Sequence, residues 1–301
     1  MDLLYENCIL TIGKFEGIHL GHQALINDVV NRAKLKGLAS VAAVFEPHPF
    51  KFLRDPSYKP IFTESERTHL ITGLGVDHVV TLIFNSGVAA MTPSEYCPKF
   101  FCKLRAHEIV VGEEYRFGNN REGTIETLRE IASDYGAKVH AFPPKVKNSD
   151  NKIISTSHIR ALLTEGKLQE AEQLLGFPFF IMGKVTKGRQ LGRVLGFPTL
   201  NIYPSDEKYL LENGVYETRT IINSVPMIGL TNIGLRPTVS DETKISVETH
   251  IPSLKAKPDE MYGQQIKVEF LRFMRPERRF ETVKELQSQI QKDLDNLVNG
   301  G

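Results

Sequence analysis

Two histidines three residues apart, His19 and His22, stand in a glycine-rich turn that runs from Gly13 through Lys14, Phe15, Glu16, Gly17 and Ile18 to Gly21. A β-like run precedes the turn and a helical pattern follows it. A helix mouth offers free backbone N–H groups and the positive end of the helix dipole, so the position attracts anions. Side chains at this spacing can point the same way, and Gly21 leaves room for a phosphate to approach the backbone. Two imidazole donors there could stabilise charge on an α-phosphate as pyrophosphate leaves. The plainer alternative is a pair of surface histidines in a turn. Further on, Ser155, Thr156, Ser157 and Arg160 put three hydroxyls and a guanidinium at another helix start. They serve either as an ordinary N-cap or as a clamp on a triphosphate opposite the histidines, since the guanidinium fork suits phosphate geometry. Neither G-x-x-x-x-G-K-S/T nor G-x-G-x-x-G occurs, so another device must hold phosphate.

Two cores must position these groups, because 301 residues suit two domains of about 120 to 180 residues each. A hydrophobic content of 41% with 24% charged residues excludes disordered, collagen-like and membrane-spanning chains. The longest apolar runs, Val79 to Phe84 and Phe177 to Gly183, fall far short of the ~20 residues that cross a bilayer. Asp2 and Glu6 stand where a signal peptide carries basic residues, so the expected location is the cytoplasm, with no membrane partner. A net charge of +1 gives no general grip on nucleic acid. A basic RNA tether at Lys184, Lys187, Arg189 and Arg193 lacks interleaved aromatics for base stacking. Three cysteines, Cys8, Cys97 and Cys102, form neither a disulfide framework nor a zinc pattern.

Up to about residue 142 strands and helices alternate. Strands are expected at Cys8 to Ile12, Ala39 to Phe45, Val76 to Ile83, Glu108 to Val111 and Lys138 to Phe142. The first helix, His22 to Lys36, places Leu25, Ile26, Val29, Val30 and Ala33 on one face. Thr63 with Glu66, and Thr92-Pro93-Ser94-Glu95, read as capping boxes. This rhythm predicts α/β architecture, a parallel sheet with helices on both faces. A surface loop is expected at 143–154, then helices at His158 to Glu165 and Leu168 to Leu175. Beyond a boundary at 177/178, short strands with Gly or Asn turns predict a small antiparallel β-barrel or sandwich: Phe179 to Thr186, Thr199 to Ile202, Val215 to Ile222, Val225 to Ile233, Ile245 to Ile251 and Gln265 to Phe273. A closing helix is capped by Thr282 and Glu285, with Val283, Leu286, Ile290, Leu294 and Leu297 as its stripe.

The run Gly13-x-Phe15-x-Gly17-x-His19-x-Gly21-His22, then Phe45-Glu46-Pro47-His48-Pro49, Val110-Val111-Gly112 to Phe117-Gly118, and Ser155 to Arg160, resembles in order the adenylyltransferase module of bacterial bifunctional riboflavin kinase/FAD synthetases. The second half is similar to their riboflavin kinase module. It carries Gly183-Lys184-Val185, Gly192 to Asn201, Gly214-Val215-Tyr216, Asn232 to Thr238, Val247-Glu248-Thr249-His250 and Arg275-Pro276-Glu277. The resemblance implies a Rossmann-like nucleotidyltransferase domain at 1–177 and a barrel domain at 178–301. The barrel module would phosphorylate riboflavin to FMN with ATP, and the first module would transfer AMP from a second ATP to FMN, giving FAD and pyrophosphate. A kinase-only chain, with a repurposed first domain, is the alternative.

The resemblance also implies roles. Glu248 would be the base that takes the riboflavin hydroxyl proton. Strand alternation by itself places Lys244, Ser246, Glu248 and His250 on a solvent-facing side. Thr199 and Asn201, two apart on a strand, would hold Mg²⁺ with ATP oxygens. Gly188, Gly192 and Arg193 would line the phosphates there. In the first module His19, His22 and Arg160 would act on the phosphates of ATP. Gly13, Phe15, Gly21, Ser155, Thr156 and Ser157 would help bind that ATP, and His48 and Asn120 would face the flavin. The chain departs from the family pattern in several places. Glu16 stands where Asp is usual, Lys14 where a small or polar residue is frequent, and Leu200 where Ala is usual. The usual Ser-Ser-Thr order becomes Ser155-Thr156-Ser157. From Ile251 to Tyr262 the usual Leu-Asp is absent and the loop, which helps close over the flavin in the family, is longer.

Overall fold

The computed structural model describes residues 7–143, 153–188, 190–237 and 243–298. Most of the expected 143–154 loop, Arg189 and Thr238 lie outside the described residues. The chain divides into two compact units, Met1–Thr156 and Ser157–Gly301.

In the first unit the strands are β1 (Cys8–Gly13), β2 (Ala39–Glu46), β3 (His78–Ile83), β4 (Ala106–Gly112) and β5 (Lys138–Phe142). Between them run α1 (Leu20–Lys36), α2 (Pro49–Leu53), α3 (Glu64–Gly73), α4 (Ser86–Ala89), α5 (Pro93–Cys97) and α6 (Ile125–Ser133). The strands pair in parallel in the order β3-β2-β1-β4-β5. Successive strand residues face opposite sides, and the core divides accordingly. Leu10, Ile12, Val41, Ala43 and Val111 pack on one face with Phe100 and Leu128. Ile9, Ala42, Val44 and Val110 pack on the other with Ile26 and Val29 of α1. All five residues expected on the inner face of α1 are buried, and both capping boxes form. β3 starts two residues later than the pattern predicts. Asp77 leaves the ladder to accept the N–H and hydroxyl of Ser40 at 2.8 and 2.6 Å, bonds that hold its carboxyl below the usual range. The strand order reverses between β1 and β4, and in open parallel sheets the crevice at the carboxyl ends of such a pair receives ligands. The histidine turn leaves β1 at that place.

The second unit opens with most of α7 (Thr156–Thr164) and α8 (Leu168–Leu175), followed by β6 (Phe180–Lys184), α9 (Leu191–Val194), β7 (Leu200–Ile202), β8 (Gly214–Ile222), β9 (Val225–Pro237), β10 (Thr243–His250), β11 (Gln265–Pro276) and α10 (Val283–Val298). The compact units part before the expected 177/178 because α8, with Leu168, Ala171, Leu174 and Leu175 buried, packs against β11. The six strands pair antiparallel in the order β6-β11-β8-β9-β10-β7. The barrel nearly closes where the Thr186 N–H donates to Asn201 O at 2.8 Å. Gly183 permits that closure: a β-carbon on it would stand 2.2 Å from Ile202 Cγ2. Inside, the buried hydroxyls of Thr218, Thr231 and Thr249 form a chain with spacings of 2.7 and 2.8 Å, satisfying one another where water is excluded. α10 lays Ile290, Leu294 and Leu297 against Val215 and Leu230. Its stripe starts later than expected, since Val283 is 59% exposed. The capping box is also half formed. Thr282 Oγ1 accepts the Glu285 N–H at 3.2 Å, but the Glu285 carboxylate takes the N–H of Glu281.

Candidate active sites

At the first crevice His19 is the N-cap of α1, its Nδ1 accepting the His22 N–H at 3.3 Å. With Nδ1 an acceptor, the proton of a neutral His19 sits on Nε2 and leaves one donor. The His22 ring stacks on His19 with centroids 3.7 Å apart and meets Phe15 edge-on at 5.3 Å. Burial pushes His19 down to about 4 and His22 well below its ordinary value, the nearby His19 adding to the second effect. Both are therefore neutral donors near pH 7 rather than cations. His22 Nδ1 is buried with no hydrogen-bond partner, the kind of polar atom that calls for an explanation such as a ligand. Phe15 and Ile18 both adopt φ 43°, a strained left-handed backbone of a sort that clusters at ligand sites. Gly21 seats the His19 ring, since a β-carbon on it would lie 3.2 Å from that ring. A β-carbon on Gly17 would stand 3.7 Å from Thr156 Oγ1, so one of the three expected hydroxyls reaches the turn. Ser157 and Arg160 belong to the second compact unit, while Ser155 and Thr156 belong to the first.

Sequence alone does not reveal the knot behind this turn. Glu16, 4% exposed, accepts the Tyr58 hydroxyl at 2.7 Å and the Ile61 N–H at 3.1 Å, with His48 Nε2 3.5 Å away. His48 caps α2 and stacks on Tyr58, so this expected flavin contact is buried among protein groups. Arg67, fully buried, donates to Lys14 O at 3.0 Å and pairs with the Glu46 carboxylate, fixing the turn against β2. The capping box foretold α3, but no local pattern turned Arg67 inward. Asn120 is exposed at φ 49° in the loop after β4, and the adjacent Arg121 comes near enough to Lys14 to help lower its ammonium, after burial.

In the barrel, Glu248 on β10 stands in register with Asn201 of β7 and Asn232 of β9. It lines a cavity of about 320 Å³ together with Thr199, Phe197, His250, Arg275 and Ile290. That side of β10 is covered rather than solvent-facing as strand alternation predicts. Ser246 is fully buried and donates to Glu248 Oε1 at 3.1 Å, while Glu248 is half-buried, because α10 and the 191–199 segment cover the side. Asn232, His250 and Arg275, to which the sequence assigned no catalytic or binding role, also line this cavity. His250 Nδ1 lies 2.8 Å from Pro198 O, which fixes the residue before Thr199.

Asn201 Nδ2 donates to Thr199 O at 3.2 Å and lies 3.4 Å from Thr199 Oγ1, while its buried Oδ1 has no hydrogen-bond partner. An unsatisfied amide oxygen beside a hydroxyl fits a hard cation such as Mg²⁺. No cluster of three or more His, Cys, Asp or Glu that could hold a metal occurs among the described residues, so such a cation would share its remaining positions with phosphate oxygens and water. Gly188 must be glycine for another reason, since a β-carbon would stand 2.5 Å from Asn201 Oδ1. Arg193 pairs with Asp259, and Gln190 Nε2 donates to the Tyr262 hydroxyl at 3.3 Å. The expected phosphate loop is thereby tied to the altered 251–262 segment.

A family profile described as FAD synthetase matches residues 3–157, and one described as riboflavin kinase matches 175–299. The bifunctional riboflavin kinase/FMN adenylyltransferase of Listeria monocytogenes is 32% identical over 95% of this chain and 90% of its own length. The chain belongs to the bifunctional riboflavin kinase/FMN adenylyltransferase family. The family's members from Escherichia coli K12 and Bacillus subtilis are 33% and 32% identical, each over 96% of this chain and 91% of theirs. A Streptococcus pneumoniae structure described as a macrolide-efflux protein matches with a TM-score of 0.81 at 28% identity, over 98% of this chain and 94% of that one. Matches to both halves of the family architecture favour two activities over a kinase alone. Among the described residues no helix is long and apolar enough to cross a membrane.

Proposed function

We infer that this chain makes FAD from riboflavin in two ATP-dependent steps, each half of the family architecture performing one. The reading is carried by Glu248, held on a covered barrel strand in register with Asn201 and lining an apolar cavity. Riboflavin occupies that cavity with its 5′-hydroxyl toward Glu248. The carboxylate accepts the hydroxyl proton as the oxygen attacks the γ-phosphorus of ATP, and ADP leaves. Thr199 Oγ1 and Asn201 Oδ1 would hold Mg²⁺, which neutralises phosphate charge when bound. Gly188, Gly192 and Arg193 line the phosphates.

In the second step the FMN phosphate attacks the α-phosphorus of a second ATP and pyrophosphate departs. No protein nucleophile is needed, because the attacking oxygen is already anionic. Neutral His19 and His22 donate to the phosphates, and Gly13, Phe15 and Gly21 shape the turn that receives ATP. Ser155, Thr156, Ser157 and Arg160 help bind the triphosphate. His48 acts through Glu16, supporting the turn, and Asn120 lies toward the flavin. The boundary between the activities falls at 177/178, and the enzyme works in the cytoplasm on small molecules without a nucleic-acid partner. Incubation with riboflavin, ATP and Mg²⁺ should yield FMN first and FAD after it in a chromatographic time course. Absence of FMN at every time would overturn the kinase assignment.

A further inference from the structure

Arg160 lies on α7, outside both matched spans, yet its guanidinium is held by a residue inside the riboflavin kinase match. The Arg160 guanidinium carbon stands 5.0 Å from the centroid of the Tyr209 ring, within cation–π range. The Tyr209 hydroxyl lies 2.9 Å from Thr164 Oγ1, and Thr164 Oγ1 donates to the Arg160 carbonyl at 2.9 Å. Threonine has one hydroxyl proton. Since that proton goes to the carbonyl, Tyr209 must be the donor to Thr164. One aromatic side chain thus grips α7 twice, at the guanidinium and one turn later.

Tyr209 is itself braced. Its ring meets Phe179 edge-on at 6.2 Å, and Phe179 is 1% exposed. The neighbouring Lys208, equally buried, sets its ammonium 4.6 Å from the Phe179 ring and 5.8 Å from that of Phe180. Its N–H closes a turn onto Ser205 O at 2.9 Å. A long, rotamer-rich arginine loses orientational freedom against so fixed a partner, which is how pre-organisation assists phosphate binding.

We propose that Tyr209 is a positioning residue for adenylyl transfer, pre-setting Arg160 for the triphosphate although it lies in the kinase half. The proposal rests on the reading of Arg160 as part of the triphosphate clamp. Both reactions are measured on the same full-length preparations of wild type, Tyr209→Leu, Tyr209→Phe, Arg160→Ala and the double variant Arg160→Ala/Tyr209→Leu. Leucine keeps bulk but removes the ring face and the hydroxyl, so Tyr209→Leu should raise the ATP KM of FMN adenylylation about tenfold, the combined size of one half-buried cation–π contact and one neutral hydrogen bond. The FMN KM and riboflavin phosphorylation should stay within about twofold, the kinase reaction reporting that the barrel is folded. Tyr209→Phe keeps the ring face and should lose no more than about threefold, the size of one neutral hydrogen bond at its low end. The double variant should be no worse than Arg160→Ala, since the two side chains act as one device. An unchanged ATP KM in Tyr209→Leu alongside a raised one in Arg160→Ala would overturn the positioning role. A uniform decline in both reactions would reduce Tyr209 to a structural residue. A neutral Arg160→Ala would remove the clamp reading and this proposal with it.

Discussion

The two proposed nucleotide sites would solve one problem, handling a triphosphate, with opposite equipment. The crevice of the parallel sheet offers two stacked imidazoles that burial keeps uncharged and a strained turn at a helix mouth. The barrel offers a carboxylate and a hydroxyl lining an apolar cavity, with an unsatisfied amide oxygen on the side chain beside that hydroxyl. The difference follows from the nucleophiles. A riboflavin alcohol holds its proton tightly and needs a base, so a carboxylate belongs in the barrel. An FMN phosphate is already an anion and needs orientation and charge stabilisation, which neutral donors supply without trapping it.

That contrast can be broken most sharply at the base. Glu248→Gln should slow FMN formation roughly 10²- to 10⁴-fold, the usual yield of general base catalysis. FMN adenylylation, assayed with added FMN, should stay at the wild-type rate; a loss of both would show that the sites are not chemically separate. The converse change, His22→Ala, should cost about 10²- to 10³-fold in FAD formation, the size of one lost oxyanion-type donor. FMN should then accumulate from riboflavin.

Stability against pH separates the regions next. The folded His19 value of about 4 lies below its ordinary value of 6.5, so the unfolded chain takes up the proton first as pH falls. His19 therefore withdraws stability between pH 6.5 and 4, by up to about 3 kcal/mol, with no further change below that window. His22 shifts the same way. Thermal unfolding from pH 7 to pH 4.5 should show the first unit losing its melting temperature faster than the second, and His19→Asn should flatten the trend. An unaltered slope in that variant would contradict the neutral-imidazole account. The smallest effect is expected at the exposed Arg193–Asp259 pair. Asp259→Asn should change the ATP KM of the kinase reaction by no more than about threefold, since exposed ion pairs contribute little.

What could be read from the residues in advance was local. The period of α1 identified all five buried side chains, and two capping boxes located helix starts. The histidine turn was legible because it depends on glycine and histidine positions within ten residues. Glu248 was misplaced by alternation because its covering comes from α10, some forty residues later, and strand periodicity carries no information on distant covers. The Glu16–Tyr58–His48 knot and the inward Arg67 were hidden for the same reason. Each joins segments whose local patterns look like ordinary polar loops and helices. The division after Thr156 also depends on a distant surface, β11, receiving α8.

Whether one chain holds two independent triphosphate sites is decided by calorimetric titration with a non-hydrolysable ATP analogue and Mg²⁺. Two molecules should bind per chain, one lost in His22→Ala and the other in a Thr199→Val/Asn201→Ala variant. A single molecule bound by the wild type, or both lost together in either variant, would contradict two independent sites.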